Sequence, residues 1–308
     1  MKYSATFTSC TNTHVHYHLY LPLVMIRYKA IIQIHHGMGE HSGRYTHFAE
    51  FLAKEGFVVI VSDFPGHGAS LHNFEQGHFG AGEPAKTLVY DIHRLRNIIS
   101  KRYPDLPYFM LGNQLGSYIL RQYISKYGDF IQGVILMGTM GKPSFQLFEK
   151  SLLSVNAMIK GKMHRSKTIK KRLENRWNVK FMPVKTEVDY LTSDPKERER
   201  YQEDPMTNFA YTNKGYKDIF RIIKNTNNQK LITKTPTYMS ILIISGKKDI
   251  FGSMGKGPQW LYDKYVKRGI KDIEIQLYPD SRHDILHEKS RMLVYQDILK
   301  WLNERTYI

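Results

Sequence analysis

A chain of 308 residues with 42% hydrophobic content carries enough apolar material for a full core, either as one large α/β domain or as a domain with an insertion. Its single cysteine, Cys10, excludes an internal disulfide and a Cys-based zinc cluster, which fits a reducing compartment and makes the cytoplasm the expected location. The net charge of +17 calls for an anionic partner or surface, but no nucleic-acid-binding motif accompanies it, so nucleic acid is not expected as a partner.

The polar N-terminal stretch MKYSATFTSCTNTHVHYHLYLP lacks the apolar segment of a signal peptide, and runs such as FVVIV and ILII are too short to span a bilayer. Within that stretch His14, His16 and His18 fall on one face of a strand, because strand side chains alternate. An exposed strand face is expected there and a metal is not, since no carboxylate or further ligand is defined nearby. Next come a strand over Ala30–Ile34, a helix in YTHFAEFLAKEG ending at Gly56, and the strand FVVIV. After a loop rich in Gly and His, the spacing of Leu88, Ile92, Leu95 and Ile99 predicts a helix with one apolar face. The strand YFML, a glycine-flanked turn, another helix and the strand GVILM follow.

The alternation then stops. From Gly141 to Thr235 the chain is charged, helical and irregular, and it resumes with ILIIS, a helix near Gly257–Arg268, the strand IEIQLY and a final helix ending around Trp301. Strands alternating with helices predict a mostly parallel central sheet flanked by helices. The economical division is a core of residues 1–140 and 236–308 with a helical insertion at 141–235. That insertion holds the densest basic run, Lys160 to Lys180, whose apolar positions Ile169, Leu173 and Trp177 are four apart. It reads as a helix with one greasy stripe and basic flanks; a solvated face and an anionic membrane surface are both open readings.

The turn after YFML decides what chemistry is available. It reads Gly112-Asn113-Gln114-Leu115-Gly116, the frame of a G-x-S-x-G nucleophile elbow without the serine. Three further segments bear on it. IHHGMGEHSGRY follows the first core strand, where a turn can aim a backbone N–H at a developing oxyanion. LIISGKKDIFG puts Asp249 just past a strand end, and LYPDSRHDILHE puts His283 in the loop after the next strand. Elbow, Asp, His is the chain order of α/β-hydrolases. His35 and His36 read as structural, and Ser117 as a helix residue.

Together these segments resemble the monoacylglycerol lipase and lysophospholipase group of serine α/β-hydrolases, through HHGMGEHSGRY, DFPGHGAS, KRYPDLPYFMLGNQLGSYILRQY, SGKKD and LYPDSRHDILHE. The resemblance implies the α/β-hydrolase fold, a cap formed by the insertion and hydrolysis of single-chain lipid esters without a cofactor. Residue by residue it implies Asp249 as the acid, His283 as the base, and Met38 and Leu115 as backbone donors of the oxyanion hole, with Gly112 and Gly116 framing the elbow. Two departures coincide: Asn113 stands for the family's His and Gln114 for its Ser, and DFPGHG carries Phe64-Pro65 in place of a polar pair.

An amide nitrogen is delocalised and its oxygen weakly nucleophilic, so no base can convert Gln114 into an alkoxide equivalent. Losing a triad nucleophile costs on the order of 10⁶ in kcat. The chain is therefore expected to be a lipid-ester hydrolase scaffold that is inactive or severely impaired; the alternative is a non-catalytic lipid- or small-ligand-binding protein with the same pocket. Gln114 is expected at the tip of the elbow, within hydrogen-bond reach of His283, with Asp249 on the far side of the imidazole.

Overall fold

The structure is a computed structural model describing residues 1–23, 27–71, 76–141, 154 and 156–306. Its centre is an eight-stranded sheet of β1 (Lys2–Thr8), β2 (His14–Tyr20), β3 (Ile31–His35), β4 (Val58–Ser62), β5 (Tyr108–Asn113), β6 (Gly133–Met137), β7 (Ser240–Gly246) and β8 (Ile273–Tyr278), in the order β1-β2-β4-β3-β5-β6-β7-β8. The pairs β1–β2 and β2–β4 are antiparallel and the remaining pairs parallel. This is the α/β-hydrolase architecture that the sequence predicts. β1 was not legible as a strand: it sits at the sheet edge and is exposed over its first five residues, so it carries no apolar run.

The parallel strands β3 to β6 are buried along their whole length, as expected of a sheet covered on both faces. Alternation sends Ile32, Val59 and Phe109 to one face, against Phe48 and Leu52 of α1 (Thr46–Lys54) and Ile298 and Trp301 of α9 (Arg291–Asn303). Ile31, Val58 and Met110 face the other side, against Leu88, Ile92 and Leu95 of α2 (Pro84–Arg102) and Ile119 and Tyr123 of α3 (Leu115–Tyr127). α2 opens on a proline, whose missing N–H costs nothing in a first turn, and α8 (Lys256–Arg268) stops at Gly269, left-handed with φ +97°.

Between β6 and β7 the described residues hold α4 (Lys167–Asn178), α5 (Pro195–Glu203), α6 (Asn213–Thr226) and α7 (Gln229–Lys234) and one isolated bridge, Arg165 to Thr212. α4 starts where Ser166 accepts the Ile169 N–H, and it buries Ile169 and Leu173 while Lys167, Lys171, Arg172, Arg176 and Lys180 stay exposed. α6 packs on α2 and α3, tying the segment to the core. Among the described residues no helix is long and apolar enough to cross a membrane.

Strand order reverses around β3, which has β4 on one side and β5 on the other. At such a switch point the loops leaving the two strands diverge and open a crevice at their carboxyl ends. The elbow and the HHGMGE turn both leave the sheet there.

Candidate active site

Gln114 sits between the last residue of β5 and the first of α3, at φ +41° and ψ −101°. A side chain in that sparsely populated region costs roughly 1–3 kcal/mol, and the surroundings must hold it there. They do: Gln114 N–H donates to Met137 O at 2.9 Å, and its carbonyl accepts Tyr118 N–H at 3.0 Å and Ser117 Oγ at 2.7 Å. The two glycines are a packing requirement. A Cβ on Gly112 would lie 2.5 Å from Gly116 C, and one on Gly116 would lie 2.3 Å from His35 O. Ser117 is buried on α3 with its hydroxyl turned back to the Gln114 carbonyl.

The side-chain oxygen of Gln114 accepts the Met38 N–H at 2.8 Å. The backbone donor carried over from the lipase resemblance is thus already engaged, and by the residue at the nucleophile position. Leu115 is fully buried as the first residue of α3. His283 lines the same cavity as Gln114, with Nδ1 3.0 Å from Asp249 Oδ1. Among the described residues no hydrogen bond joins Gln114 to His283: the amide oxygen has turned to the Met38 turn instead. Asp249 is fully buried and oriented by the Phe251 N–H at 2.8 Å and Ser245 Oγ at 3.2 Å. Burial opposes charge on the His283 imidazole, but the Asp249, Asp284 and Glu40 carboxylates around it together hold the pKa above the ordinary 6.5.

Sequence reasoning missed Glu40. Buried in the HHGMGE turn, it accepts from Gly37 N–H, from Tyr45 Oη at 2.8 Å and from Asn113 Nδ2 at 2.9 Å, and pairs with Arg44 Nε at 3.2 Å. Arg44 reaches on to Asp284 at 2.5 Å, which holds His287 at 2.8 Å. One run of ion pairs therefore ties the donor turn, the elbow neighbour Asn113 and the His283 loop together. The only sequence signal was an acidic residue three positions after Gly37. Two tyrosines from the inserted segment were also missed: Tyr211 Oη accepts the Gly39 N–H at 2.8 Å, and Tyr201 Oη donates to Gly39 O at 2.9 Å. Tyr211 Oη is also 2.6 Å from His67 Nε2, in the DFPGHG loop.

His16, His18, His35 and His36 have local partners. His36 Nε2 accepts the Phe64 N–H at 2.9 Å, and His35 stacks on Phe64, so the departure at Phe64 fills the space between two buried rings. His16 Nδ1 lies 3.6 Å from Asp63, and His18 Nδ1 is 2.9 Å from Ser4 Oγ.

The cavity measures about 600 Å³ including its open mouth. Met38, Gln114 and His283 form its floor, and Trp177, Tyr190 and Phe209 of the inserted segment are among its aromatic walls. Lys170 and Glu174 add one polar pair, 2.6 Å apart, in which burial pushes the Glu174 carboxyl up to about 7 against the pull of Lys170. Such a space sets an imidazole paired with a carboxylate beside an amide at the tip of the elbow and aromatic walls.

Residues 27–290 match the family model described as serine aminopeptidase, S33. The chain belongs to that family. It is 24% identical over 281 residues to the monoacylglycerol lipase of Mycolicibacterium smegmatis, covering 89% of this chain and 88% of that one. It is 26% identical over 282 residues to the monoglyceride lipase homolog of monkeypox virus, covering 90% of each. Among solved structures, a thermostable carboxyl esterase from Bacillus coagulans, in complex with glycerol, superimposes with a TM-score of 0.89 at 29% identity over 99% of both chains. The S33 assignment accounts for the order of elbow, Asp249 and His283 along the chain. At position 114 this member of the family carries an amide.

Proposed function

We propose that this chain is a monoacylglycerol-lipase-like scaffold that holds single-chain lipid esters in the cavity above Gln114 and hydrolyses them at a severely reduced rate or not at all. The observation that carries this reading is the Gln114 Oε1 to Met38 N contact of 2.8 Å. It means that a would-be acyl oxygen finds its donor occupied, next to an Asp249–His283 pair with no hydroxyl to activate. Asp249 and His283 are the acid and base of the ancestral reaction, Met38 and Leu115 its oxyanion donors, and residues 141–235 the cap. The lipid-like pocket is supported by the aromatic walls and by relatives named as monoacylglycerol lipases. The non-catalytic reading gains from the same contact, because an amide that satisfies the donor turn stabilises the site without substrate.

The cap also offers a surface for docking on anionic lipid from the cytoplasmic side. Exposed Met158, Ile159, Val179 and Met182 lie in sequence beside Lys160, Lys162, Lys180 and Lys185, the mixture that favours an interface. The reading is tested by titrating the protein with a monoacylglycerol below its aggregation concentration, following tryptophan emission with Trp177→Phe as the control, in parallel with ester turnover. Saturable quenching with turnover at background supports it. Neither binding nor turnover overturns it.

A further inference from the structure

Resting on that reading of the pocket, the orientation of one amide says which headgroup the pocket now favours. A backbone N–H can only donate, so the Gln114 atom facing Met38 N at 2.8 Å is the oxygen, and the other terminal atom is the NH₂ group. Gln114 Nε2 has no protein partner among the described residues and is not among the enclosed polar atoms, so it opens on the cavity. The same holds for His283 Nε2, on the ring edge away from Asp249. Replacing Ser by Gln has thus carried hydrogen-bond donation one amide further into the cavity, beside an imidazole. We propose that the cavity is a receptor for a single-chain carboxylate, the hydrolysis product, in preference to the ester, with Gln114 Nε2 and His283 Nε2 donating to the carboxylate oxygens.

The lining carboxylates are engaged by basic side chains, though not one for one: Glu40 and Asp284 share the single Arg44 guanidinium, Asp284 also contacts His287, and Glu174 pairs with Lys170. Asp249 faces the far side of the imidazole and, with Asp284 and Glu40, keeps it protonated to higher pH than a free histidine against the opposing effect of burial. A protonated His283 gives a charge-assisted hydrogen bond to a carboxylate, roughly twice as strong as a neutral one, whereas an ester oxygen receives only a neutral acceptor's share. Trp177, Tyr190, Phe209 and Phe251 then cover the alkyl chain. Binding requires the ligand ionised and His283 protonated, so affinity is highest between the fatty-acid pKa and that of His283 and falls as pH rises further.

The test uses the full chain and isothermal titration calorimetry with decanoate and with monodecanoylglycerol at pH 6 and pH 9. Decanoate is expected to bind at least about tenfold tighter than the ester at pH 6, to weaken at least about tenfold by pH 9, and to take up protons on binding at intermediate pH. Gln114→Glu keeps the shape and an acceptor for Met38 but replaces the donor with a carboxylate oxygen. That variant, shown folded by its thermal melt, is expected to lose decanoate binding. Ester binding equal to or tighter than decanoate, a flat pH profile, or full decanoate affinity in Gln114→Glu overturns the inference and leaves the lipid pocket standing. If neither ligand binds, the pocket reading fails with it.

Discussion

Gln114 and Met38 meet at 2.8 Å, side-chain oxygen to backbone N–H, at the mouth of the turn that follows β3. The contact helps hold Gln114 at φ +41°, a sparsely populated conformation that the surroundings must fix. The elbow is a structural joint. Its neighbours determine how far it can be altered.

Glu40 is the test of that joint. Removing its carboxylate leaves the Gly37 N–H, Tyr45 Oη and Asn113 Nδ2 without their acceptor and strips buried Arg44 of one of its two anions. Glu40→Ala is expected to destabilise the fold by about 3–5 kcal/mol, the range for breaking a buried pair from one side. Urea melts measure it. A loss below about 1 kcal/mol would mean that the ion-pair run is not what holds the donor turn.

The pH dependence of stability has a definite sign. His35 and His67 are fully buried, and burial lowers both pKa values to about 3. The unfolded chain protonates them near 6.5 while the folded chain does not, so stability is full above that pH and declines as pH falls toward 3. Each contributes up to about 1.4 kcal/mol per pH unit within that window. His283, shifted upward by Asp249, Asp284 and Glu40 in spite of its burial, acts in the opposite direction and stabilises the fold below 6.5. The denaturation midpoint should fall steadily from pH 6.5 to pH 4.5. A His67→Gln variant should show a shallower slope, and an unchanged slope would remove His67 from this account.

The proposed docking of the segment between β6 and β7 on anionic membranes depends on salt. Co-sedimentation with vesicles should rise with the anionic lipid fraction and fall between 50 mM and 500 mM salt, since exposed charges are screened over about 10 Å at 0.1 M. Lys160→Glu with Lys162→Glu should weaken binding by roughly 1 kcal/mol per residue or more. Equal binding to neutral and anionic vesicles removes the electrostatic part.

The sheet was legible from two patterns: GVILM, a continuous apolar run, coincides with the buried β6, and IEIQLY, in which apolar and polar residues alternate, coincides with the edge strand β8. β1 was not, because it is exposed over its first five residues and offers neither an apolar run nor a buried alternation. At the site, Gly112 and Gly116 were readable from the elbow frame, and Asp249 and His283 from their places after strands. Glu40, Tyr201 and Tyr211 were not, because a buried hub is defined by partners distant in sequence: Tyr211 meets Gly39 from 172 positions away. The side-chain direction of Gln114 was likewise out of reach, since a lone pair's choice between Met38 and His283 depends on distances that no spacing encodes.

If one side chain separates this chain from a serine hydrolase, fluorophosphonate labelling of Gln114→Ser is the measurement that shows it most directly. Asn113 already donates to Glu40 at 2.9 Å, so the elbow neighbour is anchored and the single reversion should place a hydroxyl at the tip, facing the cavity that His283 lines. The expected result is no labelling of the parent, stoichiometric labelling of the variant at position 114, and recovery of a large share of a roughly 10⁶-fold deficit in monoacylglycerol turnover. Asn113→His with Gln114→Ser controls for a tilted elbow, since a 1 Å error can cost about 10²-fold. If the single and the double variant both fold, and neither labels nor hydrolyses, the site is not a hydrolase lacking only its nucleophile.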